Sequence, residues 1–330
     1  MNECIRRATL AAVICLFALS SRAAARVEHV FIISIDGGKP AVIQQSQMPV
    51  LERMVGEGAC TWTANTIFPS ITLPSHTSML SGVGPKKHKI LWNKWLPTNG
   101  IVRVPTVFSL AKQAGYSTAM FVGKEKFRHL LLPGSVDQFE YSHLQAQEVI
   151  KTANGGTQDK EGTVLADEVA REAAAYILRQ KPNLCFIHFA DPDVAGHKYG
   201  WGSPQQIKSL ASTDAALGLL MKAIDQAGIA DQTVILLSAD HGGHAKTHGG
   251  KSDDDMHIPW IAWGKGVKHG FALTDPVTTF DTAATALWLL DVPRPASFDG
   301  HAVTSSFEPS PLDVKPIRSF SSAVPAKAKE

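Results

Sequence analysis

Three near-continuous apolar runs in this chain end in the same way, on an acid. "VEHVFIISID" closes on Asp36 and is followed by Gly-Gly, "NLCFIHFADPD" closes on Asp191 and Asp193, and "QTVILLSADHGG" reaches Asp240. A strand that is apolar at nearly every position, not every second one, has both faces covered, as a central strand of a parallel sheet does. "MHIPWIAWG" reads as a fourth, weaker strand. Between the runs lie helical patterns, "TVLADEVAREAAAYILRQ" and "SPQQIKSLASTDAALGLLMKAIDQAG". The second opens on Ser203-Pro204, a cap and first turn, and closes on Gly228. Strands alternating with helices predict an α/β fold with a mainly parallel sheet. In such sheets ligands gather at the carboxyl ends of the strands. Asp36, Asp193 and Asp240 are expected at that edge, where three carboxylates repel one another unless cations hold them.

Histidines cluster beside these acids. "SADHGGHAKTHGG" carries Asp240, His241, His244 and His248, and "DPDVAGHKYG" carries Asp193 and His197, four apart, with Gly196 read as freedom for the backbone to turn. Oxygen and nitrogen donors without a nearby cysteine suit zinc, or less specifically manganese or iron. A lone loop histidine carries no such message; agreement among several strand ends does. "TIFPSITLPSHTSMLSG" alternates Pro-Ser steps with hydroxyl residues, and a helix is expected to begin near Ser75. A strand-to-helix turn aims backbone N–H groups at an anion.

The chain has 330 residues, 44% of them hydrophobic and 19% charged, with a net charge of +2. Lysine and arginine are scattered, so nucleic-acid binding is not expected beyond nucleotides as substrates. Arg6 and Arg7, the apolar run "ATLAAVICLFALS" and the small-residue stretch "SRAAA" read as a secretory signal over residues 1–25, cleaved near Ala25. The run is shorter than the roughly 20 residues a spanning helix needs. Periplasmic or secreted localisation follows, with no stable membrane anchor after cleavage. Cys60 and Cys185 lie in separate strand-like segments and are expected as two buried free thiols. Residues 26–310 are expected to form the catalytic domain, with cap elements within 91–160, and the polar, Pro-rich residues 311–330 a disordered tail.

Taken together, Asp36, "ITLPSHTSMLSGV", "ILWN", "DPDVAGHKYG", "SADHGG" and "THGG" resemble the alkaline phosphatase superfamily over about residues 28–303. The closest branch is that of the type I phosphodiesterases and nucleotide pyrophosphatases, with the related single-chain bacterial alkaline phosphatases. The resemblance implies a three-layer α/β/α sandwich with a small cap and a site for two Zn2+ ions. It implies one zinc held by Asp36, Thr72, Asp240 and His241, and the other by Asp193, His197 and His248. His248 is preferred over His244 and His257. Thr72, in "TLPSH", would be the nucleophile, with Thr66, Ser70 and Ser75 as fallbacks. Asn93, 21 residues on, would bind a phosphoryl oxygen. Lys124 and Lys126, in "GKEKF", stand where the single-chain monoesterases have a Lys-x-Arg pair; a lysine offers a point charge, not a bidentate fork.

These readings predict an exported, zinc-dependent phosphoric ester hydrolase acting on a small phosphate ester through a phospho-threonine. A zinc-coordinated threonine hydroxyl has a lowered pKa. Two zincs bring four positive charges, and the three acids with ionised Thr72 bring four negative ones. If both lysines face the substrate, the extra charge suits a monoester dianion, so a phosphomonoesterase is favoured. A type I phosphodiesterase or nucleotide pyrophosphatase is the alternative. A sulfatase would need an Arg that "TLPSH" lacks, and the phosphoglycerate mutases of this fold use Ser. A catalytically inactive, exported metal-binding protein is the reading from another class. "LWNKW" offers Trp92 and Trp95 either as surface for a leaving group or as core.

Overall fold

The computed structural model describes residues 26–141 and 163–309. The expected signal, the tail and part of the 91–160 stretch lie outside the described residues.

Eight strands form one sheet: β1 (His29–Ile35), β2 (Ala59–Asn65), β3 (Thr118–Val122), β4 (Gln138–Glu140), β5 (Leu184–Phe189), β6 (Thr233–Ser238), β7 (His257–Gly264) and β8 (Phe271–Ala272), in the order β4-β3-β5-β1-β6-β7-β2-β8. The three acid-ended runs are the central neighbours β5, β1 and β6, paired in parallel with Ser34 level with both His188 and Ser238. Every residue of these strands is buried, which is why they read as unbroken apolar runs. Their carboxyl ends therefore finish side by side. Only β7 runs against the others, pairing antiparallel with β6 and β2.

Helices cover both faces. Helices Pro49–Glu57, Ala166–Gln180 and Pro204–Gln226 pack together on one side, and helices Thr72–Ser81, Val107–Gln113 and Asp281–Leu289 on the other. The expected three-layer sandwich is present. The helix opened by Ser203-Pro204 is capped by the Ser203 hydroxyl, which accepts from the Gln206 N–H. Of the 91–160 stretch, residues 107–140 contribute a helix, β3 and β4 to the main sandwich. Cys185 is buried and Cys60 half-buried; both are free thiols.

Candidate active site

The ligand-type residues reach the sheet edge by different routes. Asp36 directly follows β1, and Asp240 and His241 follow β6. Asp193 and His197 are not in a loop: they occupy helix Asp191–Tyr199, one turn apart, so both side chains share a face. Gly196 is accordingly helical, and what demands a glycine is the Trp201 ring, 2.9 Å from where a Cβ would sit. The Thr72–Ser81 helix begins on Thr72, three residues before the expected Ser75.

Two groups result. Asp36, Asp240 and His241 form one, and Asp193, His197 and His248 the other, each with its donor atoms within 4.8 Å of one another. In the first, His241 Nε2 lies 3.2 Å from Asp240 Oδ2 and 3.5 Å from both Asp36 Oδ1 and Thr72 Oγ1. In the second, His197 Nε2 and His248 Nε2 are 3.1 Å apart, and 3.4 and 3.6 Å from Asp193 Oδ1. The His241 and His248 rings stack at 3.6 Å between centroids, joining the groups.

The tautomers are set by backbone carbonyls. His241 Nδ1–H donates to Gly242 O (2.9 Å), His248 Nδ1–H to Ser70 O (2.9 Å) and His197 Nδ1–H to Lys246 O (3.0 Å). Each imidazole thus turns an Nε2 lone pair inward, the arrangement of a metal-binding histidine and its outer-shell partner. Asp36 Oδ1, Asp193 Oδ1 and Asp240 Oδ2, aimed at the same points, have no hydrogen-bond partner among the described residues. Buried carboxylate oxygens without partners, facing imidazole lone pairs with no proton between, fit a divalent cation at each group.

Electrostatics agree. Burial works against the charge on Asp36, but Lys124, His188 and His241 outweigh it and hold its carboxyl well below the usual range. For Asp193, burial and Asp36 are likewise outweighed, by Lys124, His241 and His248. For Asp240 the balance tips the other way: burial, then Asp36 and Asp193, outweigh Lys124 and the Gly37 N–H and push its pKa well above the usual value. Burial, followed by His248, pulls His241 down to about 3, so its ring is neutral and can ligate. The expected repulsion among three acids is real, and the protein's own cations offset part of it.

The main protein cation is Lys124. Its buried ammonium lies 2.7 Å from Asp36 Oδ2 and 2.6 Å from Asp193 Oδ2, one acid from each group. It takes the oxygens opposite the partnerless ones, so it clamps the two ligand carboxylates instead of projecting toward a substrate phosphate. Lys126 is also buried, close enough to His188 to disfavour its protonation. The expectation that both lysines face a phosphoryl group does not match this geometry.

Among the hydroxyls, Thr72 stands out. Thr66 Oγ1–H donates to Asp240 O and accepts from Ser75 Oγ–H, while Ser70 Oγ–H donates to Gly250 O. Thr72 Oγ1 instead faces His241 Nε2. Asn93 Oδ1 accepts from Leu73 N–H (2.8 Å), which brings its amide beside Thr72. His244 is turned away, with Nδ1 2.8 Å from Asp255, and His257 Nε2 lies 4.0 Å from the exposed Asp253, outside both ligand groups. Trp92 is partly buried against the core, and both Trp92 and Trp95 pack on His129.

Sequence reasoning missed three supporting residues. His188 on β5 bonds Asp36 Oδ2 through Nε2 (2.9 Å). His76 Nδ1–H donates to Thr72 O and its Nε2 accepts from Ser34 O–H, both at 2.8 Å. Trp201 walls the site. His188 and His76 stood in quoted motifs, but only the three-dimensional arrangement tells a ligand from its support.

Comparison with known proteins agrees with this architecture. The chain is 23% identical over 220 residues to ectonucleotide pyrophosphatase/phosphodiesterase family member 1 of Rattus norvegicus, covering 64% of this chain and 23% of that protein. It is 24% identical over 226 residues to family member 7 of Mus musculus, covering 66% of this chain and 50% of the relative. The chain thus spans between about a quarter and a half of these relatives' length. The structure of murine ectonucleotide pyrophosphatase/phosphodiesterase 5, an inactive Thr-to-Ala variant in complex with AMP, superposes with a TM-score of 0.67 at 13% identity, covering 85% of this chain and all of that one. The family described as "Type I phosphodiesterase / nucleotide pyrophosphatase" matches residues 30–255, a stretch that runs from β1 through all the ligand-type residues, and the chain belongs to that family.

Proposed function

We propose that this protein is a metal-dependent hydrolase of phosphodiester or pyrophosphate bonds, with Thr72 as nucleophile. The observation that carries this reading is the pair of ligand groups, each with partnerless carboxylate oxygens and inward imidazole lone pairs, and the first with Thr72 Oγ1 against it. The donor chemistry favours zinc in both groups, with manganese or iron as substitutes. When bound, the ions supply positive charge that lowers the pKa of a hydroxyl and offsets charge on phosphoryl oxygens.

The chain's own residues do the rest. His76 and the turn before the helix hold the Thr72 backbone, fixing its hydroxyl toward phosphorus. A bond forms from Thr72 Oγ to phosphorus as the hydroxyl proton is lost and the bond to one ester oxygen breaks, that oxygen leaving protonated. The resulting threonyl phosphodiester keeps the other ester group, and water then displaces Thr72, releasing a phosphate monoester and restoring the hydroxyl. Asn93, anchored through Oδ1, would donate from Nδ2 to a phosphoryl oxygen. Burial of Thr72, Asp36 and Asp240 limits competing water.

The phosphomonoesterase reading gives way here. It required two lysine charges on the substrate, whereas Lys124 is committed to Asp36 and Asp193, and the family match points to diesters. Two divalent ions offset three acids and an ionised Thr72, and a diester monoanion then needs less further positive charge than a monoester dianion. Secretion or periplasmic location is proposed with this activity; no helix among the described residues is long and apolar enough to cross a membrane.

Rates on bis-(4-nitrophenyl) phosphate and 4-nitrophenyl phosphate, with zinc and after chelation, test the reading. A higher kcat/KM on the diester, lost on chelation and in Thr72→Ala, is expected. Full activity without metal, or preference for the monoester, would overturn it.

A further inference from the structure

One indole lies against the segments that carry Asp36, Asp193 with His197, and His241. Trp201 lies just past the helix bearing Asp193 and His197. A Cβ on Gly37, next to Asp36, would come within 3.2 Å of its ring; on Gly196, between Asp193 and His197, within 2.9 Å; on Gly243, two residues past His241, within 2.2 Å. Three glycines from three chain segments therefore lie flat against one side chain. Trp201 Nε1–H also donates to Gly37 O (3.0 Å), and its backbone N–H donates to Ala245 O (2.8 Å). The ring meets the His197 imidazole edge-on at 5.3 Å and that of His248 at 5.8 Å between centroids.

We propose that Trp201 is a positioning residue that sets the spacing between the two ligand groups. This rests on reading those groups as metal sites. An indole is a rigid plate with two side-chain torsions, and segments packed on it without intervening Cβ atoms are held to a single separation. Asp36 belongs to one group and Asp193 to the other, and the glycines beside both bear on this plate. His197 has most need of a wall: its side chain is 35% exposed, and Lys246 O and the Trp201 edge bear on its ring on the side away from the ligand group. Outer-shell partners of this kind change metal affinity by roughly 10- to 100-fold.

Gly196→Ala gives a clean test. The residue is inside a helix, where alanine is the better helix former. A purely local view therefore expects a protein at least as stable, binding zinc as before. On the proposal, the new methyl displaces the indole. Zinc measured by chelator competition then weakens by roughly tenfold or more, and the visible spectrum of the cobalt-substituted protein changes. Trp201→Phe added to that background, with a smaller ring, restores part of the affinity. Unchanged zinc affinity and an unchanged cobalt spectrum in Gly196→Ala would overturn the proposal. Should that variant not fold, Trp201→Phe alone, which deletes the bond to Gly37 O, carries the same expectation and the same refutation. His197→Ala and Asp193→Asn serve as references. If they too keep full zinc, the metal reading itself has failed and takes this proposal with it; if they lose zinc while Gly196→Ala and Trp201→Phe do not, only the role of Trp201 is lost.

Discussion

At the scale of single residues, the decisive question is what a buried charge faces. Lys124 illustrates it: "GKEKF" announces a lysine near an anion, and the anion is the protein's own. Lys124→Met removes the cation shared by Asp36 and Asp193 and leaves buried carboxylates uncompensated. Breaking a buried pair in this way costs about 3–5 kcal/mol. In a chain of this size each kcal/mol shifts Tm by roughly 2–4 °C. The metal-free variant should therefore melt roughly 10 °C lower, by calorimetry, with much of the loss recovered on adding zinc. A lysine that contacted only substrate would leave the metal-free Tm unchanged. Thr72→Ala should behave in the opposite way, keeping Tm within about 2 °C while kcat on a diester falls by about a thousandfold or more. Phosphate trapped by acid on Thr66, Ser70 or Ser75 would move the nucleophile.

At the scale of elements, helices here depend on partners that lie far off in the chain. Helix Pro49–Glu57 has Met48 at its N-cap, which offers no side-chain acceptor. Its exposed N–H groups are taken instead by Asp214, in the middle of helix Pro204–Gln226: Val50 N–H donates to Oδ2 (3.0 Å) and Leu51 N–H to Oδ1 (2.9 Å). Asp214→Ala should lose a cap worth about 1–2 kcal/mol, seen as a lower urea midpoint at unchanged m-value, with kcat/KM intact. No drop in midpoint would mean that water serves these N–H groups equally well. Strands divide by burial. β1, β5 and β6 are legible because both faces are covered, whereas β2, "ACTWTAN", mixes buried, half-buried and exposed positions and gives no period to read. β3 is fully buried but only five residues long, and its neighbours decide whether "TAMFV" is a strand.

At the scale of the whole molecule, buried neutral histidines make the fold sensitive to acid. Burial pulls His88 from its usual 6.5 down to about 4, and also lowers His76, His188, His241 and His248. His88 lies outside the ligand groups: its Nδ1 accepts from Ile90 N–H and its Nε2–H donates to Ser78 Oγ, both at 3.0 Å. A group whose folded pKa is depressed adds stability above its unfolded pKa and loses it as pH falls toward the folded value. For His88 the window runs from about pH 6.5 down to about 4. Urea unfolding should show stability falling across that range. His88→Asn, which keeps an acceptor for Ile90, should flatten the fall by on the order of 2 kcal/mol. An identical pH slope in the variant would refute the assignment.

Some of this protein was determined locally and some was not. The apolar runs, their closing acids and the His-rich segments specify a parallel sheet with ligands at its carboxyl edge, because burial on both faces and donor chemistry are properties of the residues themselves. The assignment of Asp36, Asp240 and His241 to one group and Asp193, His197 and His248 to the other was implied by family likeness, and the structure brings those same atoms together. Three matters were decided only by tertiary structure: that Lys124 binds the ligands and not a substrate, that His244 turns to Asp255, and that Trp201 sits among Gly37, Gly196 and Gly243. Each is a question of direction: a sequence records which charges and rings a segment carries, but which neighbour a side chain meets, whether 11 residues off as for His244 and Asp255 or 164 as for Trp201 and Gly37, is set by how the chain folds back on itself.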